Sequence, residues 1–136
     1  MPTILEKLDV LRRTELLKEI RTESLARIAA IAGEGHPSAN QVLYGEGQIA
    51  DRFYLLLEGE VVTVSAERGE QRHRPGSLLG ILEVLAEGAY FETARTNGSV
   101  RLLQVDQQDL LDIMASDFHL TRGLLRRLVH TLARRG

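Results

Sequence analysis

Apolar positions along this chain change period twice. Residues 3 to 32 repeat at helical spacing, beginning with Ile4, Leu5, Leu8 and Leu11. The pattern predicts helix in two or three pieces, with a break near Arg13 and caps at Thr14 and Thr22. Beyond Thr22, Leu25, Ile28, Ala29 and Ala32 share one face. Gly33 and Gly35 close the segment, and "GHPSAN" reads as a turn-rich connection.

From Gln41 the alternation becomes that of strands. "QVLYGEG" predicts a short strand ending in a glycine turn. Two β-rich runs follow, residues 53 to 57 and 61 to 65, separated by Glu58-Gly59-Glu60. In the second run Val61, Thr63 and Ser65 face one way, and Val62 and Val64 the other. "AERGEQ" predicts a hairpin turn on Gly69, and "RPG" a further turn. "LLGILEVLAEG" reads as a compact apolar helix or turn. "YFETA" and "VRLLQVD" read as strands joined by a tight reversal at "TNG". Helical spacing returns at Asp106, a candidate cap for "DQQDLLDIM". Over 117 to 135, Leu120, Leu124, Leu125, Leu128, Val129 and Leu132 form an apolar stripe. Helices, many short strands and helices again predict an α+β fold with a curled antiparallel sheet, and the 136 residues a single domain.

Composition mainly removes options. Hydrophobic residues make up 43% of the chain and charged ones 26%, ordinary for a globule. With no cysteine, thiol catalysis, disulfides and thiolate metal sites are excluded. The four histidines, His36, His73, His119 and His130, are scattered and predict no metal site. Ser65, Ser77 and Ser99 lack a nucleophile-elbow context, and no phosphate-loop or dinucleotide fingerprint occurs. Glu58 and Glu60 read as exposed turn carboxylates rather than an acid–base pair. No enzyme and no cofactor is expected. No apolar run reaches the ~20 residues of a membrane span, no secretory leader is signalled, and the cytoplasm is the expected location. The net charge of −2 hides five arginines after Phe118 with no acidic residue among them. They read as the solvated face of a last helix, whose carboxyl end favours cations.

Three stretches in order carry a resemblance. "TELLKEIRTESLARIAAIAGE" leads into "QVLYGEGQIADRFYLLLEGEVVTV"; "RPGSLLG" opens a loop; "VRLLQVDQQDLLDIM" passes from strand to helix. Together they resemble the cyclic-nucleotide-binding domain family, the regulatory β-rolls of catabolite-activator-type regulators, cyclic-nucleotide-dependent kinases and gated channels. The resemblance implies an antiparallel β-roll (a double-stranded β-helix or jelly roll) over residues 40–106. Helices over 1–35 and 107–135 would flank it, and a phosphate-binding cassette would occupy 76–95. The family's glycines carry over to Gly47, Gly59, Gly76 and Gly80.

In that cassette the residue after Gly80 is a glutamate that holds the ribose hydroxyl; here it is Ile81. Matching Thr93 to the strand's usual threonine puts the phosphate-binding arginine on Tyr90 and the proline before it on Ala89. Losing one partner of a charged hydrogen-bonded pair costs about 2–5 kcal/mol of binding. Remaining ligand candidates are the backbone at Gly80, Ile81 and Leu82, together with Glu83, Tyr90, Phe91, Thr93 and Arg95. Arg95 stands five residues from Tyr90 and so points to the other side of an extended strand. Glu83 lies two residues late for the ribose role. Tyr90 and Phe91 are expected to fill the cavity.

The resemblance thus implies a regulatory or protein-interaction module that does not take cyclic AMP or cyclic GMP in the usual way. The alternative is a small-molecule sensor for a cyclic nucleotide or another anion. In the family the long last helix often packs on a dimer mate, which implies a homodimer through Leu120, Leu124, Leu125, Leu128 and Leu132. Packing of that stripe on the chain's own β-roll is the competing reading. An unidentified protein partner fits either one. The chain stops soon after this helix, so no recognition helix for specific DNA binding is expected.

Overall fold

The computed structural model describes residues 3–135. The chain divides into two compact units, residues 1–31 with 108–136, and residues 32–107. The first unit is built from both ends of the chain.

In the helical unit, α1 (Ile4–Arg13) begins at Thr3, whose Oγ1 accepts the Glu6 N–H at 3.1 Å. Thr14 does not start the next helix. It is the C-cap of α1, and its buried hydroxyl donates to the Leu11 carbonyl at 2.9 Å. Residues 14–20 then form successive turns, with Leu17 N–H bonded to Thr14 O and Ile20 N–H to Leu17 O. Thr14, Leu17 and Ile20 are all buried. Their three-residue spacing suits turns of three residues rather than an α-helix. Next come α2 (Thr22–Ile31) and, from the far end of the chain, α4 (Gln107–Ser116) and α5 (Phe118–Arg135). The cap that organises this end is Asp117 rather than Asp106. Its Oδ1 accepts the Leu120 N–H at 2.9 Å, and its Oδ2 accepts the Ser24 hydroxyl at 2.8 Å.

The sheet unit holds six antiparallel strands, β1 (Gly33–Gly35), β2 (Val42–Tyr44), β3 (Arg52–Ser65), β4 (Gly69–His73), β5 (Leu78–Leu79) and β6 (Thr93–Asp106). A short helix, α3 (Ile81–Ala86), interrupts them. The arrangement is a β-roll. β3 and β6 run side by side from Arg52↔Asp106 to Val64↔Thr93. β1 and β2 pair with β6, and β4 and β5 with β3.

Each long strand joins two segments that the sequence reading separates. "TNG" is not a reversal, since β6 passes straight through it. Glu58-Gly59-Glu60 is likewise a pair of register shifts inside β3. Bulges let the ladder absorb extra residues while bending it. Gly59 makes this possible with φ +92; a Cβ there would stand 2.5 Å from the Ser99 carbonyl oxygen. The Gly69 hairpin forms as expected, and Val61, Thr63 and Ser65 are buried while Val64 is exposed.

Candidate functional site

β3, β4, the loop after β2 and the segment carrying α3 line an open cavity of about 760 Å3 in the sheet unit. Gly80 introduces α3 in the left-handed region, φ +84. The space beneath its missing Cβ belongs to Tyr90, whose Cε1 would be 3.0 Å from such an atom. The Tyr90 ring stacks on Tyr44 with centroids 3.9 Å apart. Its hydroxyl donates to the Arg52 carbonyl and accepts the Arg52 N–H at 3.2 Å. Burial pushes the Tyr90 phenol up to about 12. Tyr90 is therefore a wall residue secured to the main chain. Tyr90→Phe should lower unfolding free energy by about 1–2 kcal/mol in chemical denaturation, because those Arg52 groups lose their partner. An unchanged midpoint would contradict this.

Phe91 departs from expectation. It lines the cavity but is 57% exposed, so it fills nothing. Ile81 is buried in the wall and Leu82 is exposed at the rim. Thr93 is not in the lining; its Oγ1 accepts the Glu46 N–H at 3.0 Å. Arg95 lies outside the lining and is exposed, as its spacing from Tyr90 requires. With only six residues, α3 adds little dipole of its own.

Glu83 gains importance. It is 5% exposed and in the cavity lining, and its Oε2 accepts the Phe91 N–H at 3.3 Å. Burial, with the charge of Glu92 behind it, holds its carboxyl above the ordinary range. Sequence reasoning missed Glu46, Glu67, Arg68, His73 and Glu92, which the roll also brings to the cavity. Strand alternation places Ser65 and His73 on the inner face, but only closure of the roll aims them at the cassette. His73 pairs with the Thr63 hydroxyl at 2.7 Å, and burial holds its imidazole below the usual value. The lining sets four carboxylates against one guanidinium.

On α5 the apolar stripe divides. Leu120 and Leu124 are buried and so belong to the chain's own interior, which corrects their assignment to a dimer interface. Leu125 and Leu132 are 62% and 69% exposed, and Leu128 is half-buried. Phe118 and Val129 are exposed as well. Arg122 and Arg126 form no ion pair among the described residues, whereas Arg127 pairs with Glu15.

A β-roll interrupted by a short helix beside a cavity defines a regulatory β-roll domain as the class of protein. Residues 36–117 match the cyclic nucleotide-binding domain family, and the chain belongs to it. The N-terminal domain of a transcriptional regulator from Streptomyces coelicolor A3(2) superposes with a TM-score of 0.81 at 27% identity. It covers 94% of this chain and 95% of that one. A cyclic nucleotide-binding-like protein from Brucella abortus shares the fold, with a TM-score of 0.68 at 20% identity over 80% of this chain and 97% of its own. Proteins of Mycobacterium bovis and Mycobacterium tuberculosis, described as uncharacterized NTE family proteins, are 27% identical over 123 residues. That is 90% of this chain and 21% of theirs, so the chain spans about a fifth of those relatives. Among the described residues no helix is long and apolar enough to cross a membrane.

Proposed function

We propose that this chain is a regulatory, protein-interaction module on the cyclic-nucleotide-binding fold whose cavity does not take a cyclic nucleotide. The observation that carries the reading is the charge of the lining, four carboxylates facing one guanidinium. A cyclic phosphodiester brings another negative charge, and its burial requires cations or converging donors. Ile81 offers neither to a ribose, and the Tyr90 hydroxyl is already committed to Arg52. Calorimetry with cyclic AMP and cyclic GMP is expected to give no saturable heat in the micromolar range. Micromolar binding that weakens with salt would reverse the reading.

Output through a second copy of the chain is supported by the exposed side of α5. Phe118, Leu125 and Leu132 recur every seven residues, with half-buried Leu128 between them, the spacing of a two-helix seam. Sedimentation velocity should show a species of about twice the 15.2 kDa chain mass. The double variant Leu125→Glu, Leu132→Glu should return it to one chain. A single-chain species for the unaltered protein at high concentration would exclude self-association.

A further inference from the structure

We infer that an open crevice on the helical unit, between residues 19–21 and α5, is a binding site for a phosphate group, held by the guanidinium groups of Arg21, Arg122 and Arg126. The crevice measures about 270 Å3 and is lined by those three arginines, His119 and Gly123, with Glu19 as its one carboxylate. Gly123 sets the approach of its two walls. A Cβ there would stand 2.5 Å from Ile20 Cδ1, so α5 lies closer to residue 20 than a side chain would leave room for. Arg21 comes from the segment before α2, and Arg122 and Arg126 come from α5, so cations from two elements line one space.

These charges lack the partners that other guanidinium groups of the unit possess. Arg13 pairs with Asp9 at 2.8 Å, Arg27 donates to the Ser116 hydroxyl at 2.8 Å, and Arg127 donates to the Glu15 carbonyl at 3.1 Å. Arg122 and Arg126 have neither a hydrogen bond nor an ion pair among the described residues, and Arg21 comes no nearer than 3.9 Å to Glu23 and Asp117. Glu19 stands 3.6 Å from Arg127, so its charge is already shared. Arg122 and Arg126 are four residues apart on one helix, a spacing at which like charges repel. An anion between the walls would offset that repulsion. Guanidinium forks match the oxygens of a phosphate two at a time, and the His119 ring adds a further donor. A carboxylate ligand fits less well, since it brings two oxygens and a single charge to three guanidinium groups. Leu125 and Leu132 lie outside the lining, so the crevice is independent of self-association.

The test is calorimetry of the full chain with inorganic pyrophosphate, against sodium chloride at matched ionic strength. Pyrophosphate should bind saturably and raise the thermal unfolding midpoint. Arg122→Gln and Arg126→Gln should each weaken that binding about tenfold. Without ligand both variants should unfold at the same temperature or higher, because a repulsion is relieved. Arg134→Gln removes a cation of α5 that lies outside the crevice, and should leave the affinity unchanged. Absence of saturable heat overturns the proposal. So does a loss in Arg134→Gln equal to that of the crevice variants, which would mean general attraction to a basic helix. Flotation with phosphatidylcholine vesicles, with and without phosphatidic acid, separates the sources of the phosphate. Capture by phosphatidic acid that is lost in Arg122→Gln, alongside pyrophosphate binding, assigns a lipid headgroup to the site; pyrophosphate binding without capture assigns a soluble ligand. Capture without pyrophosphate binding overturns the site in favour of attraction to a charged bilayer.

Discussion

Gly59→Ala is expected to remove about 3–4 kcal/mol of unfolding free energy, read as a lower urea midpoint with an unchanged slope. Two costs coincide at this position. The backbone sits at φ +92, where an L side chain is strained, and the new Cβ would meet the Ser99 carbonyl oxygen at 2.5 Å and Val100 Cγ1 at 2.7 Å. Backbone on the facing strand cannot step aside without breaking the register that bends β3 and β6 together. Gly98→Ala is the matched control. Its φ is +82, but nothing lies within 4 Å of the added atom. Strain alone should cost it about 1 kcal/mol. Equal losses in the two variants would mean that the close approach at Gly59 contributes nothing. Against a typical total of about 5–15 kcal/mol, the predicted difference is large enough to resolve.

Asp117→Ala should cost about 2–4 kcal/mol, through loss of a helix cap and of the Ser24 hydroxyl's partner. The carboxylate is 5% exposed and joins α5 to α2 within the helical unit. Burial alone would raise its pKa. The Leu120 N–H, the Ser24 hydroxyl and the guanidinium groups of Arg21 and Arg27 outweigh that and hold it below the ordinary aspartate range. A carboxyl with a lower pKa folded than unfolded stabilises fully above the unfolded value. That contribution disappears as pH falls through the folded value. The unaltered protein should therefore lose stability toward acid more steeply than Asp117→Ala, and the two should converge at low pH. A constant gap between their stability–pH curves would show that ionisation of Asp117 is not the source.

Much of the architecture was legible because period and turn chemistry are local properties. The Gly69 hairpin, the short helix after Gly80 and the inward face of Val61, Thr63 and Ser65 follow from spacing and from residues that accept unusual φ. Errors fell where long-range pairing overrode local appearance. "TNG" has the composition of a reversal, yet residues on both sides of it pair with β3, so it becomes part of one strand. Gly33–Gly35 carries almost no strand propensity and is a strand because the edge of β6 pairs with it. Thr14 has a capping side chain, but the buried three-residue spacing that follows makes it an end rather than a beginning.

Sequence alone determined the family and the order of helical and strand-forming regions. Those are statements about residue identity and order, and neighbours along the chain suffice for them. Only the tertiary structure decided the sign of the cavity. Glu46, Glu67 and Glu92 come from separate loops and Glu83 from α3, and all four line one cavity when the roll closes. It also divided the α5 stripe into buried Leu120 and Leu124 and exposed Leu125 and Leu132. A helix's period marks which residues are apolar, while the packing of its neighbours sets which of them meet water.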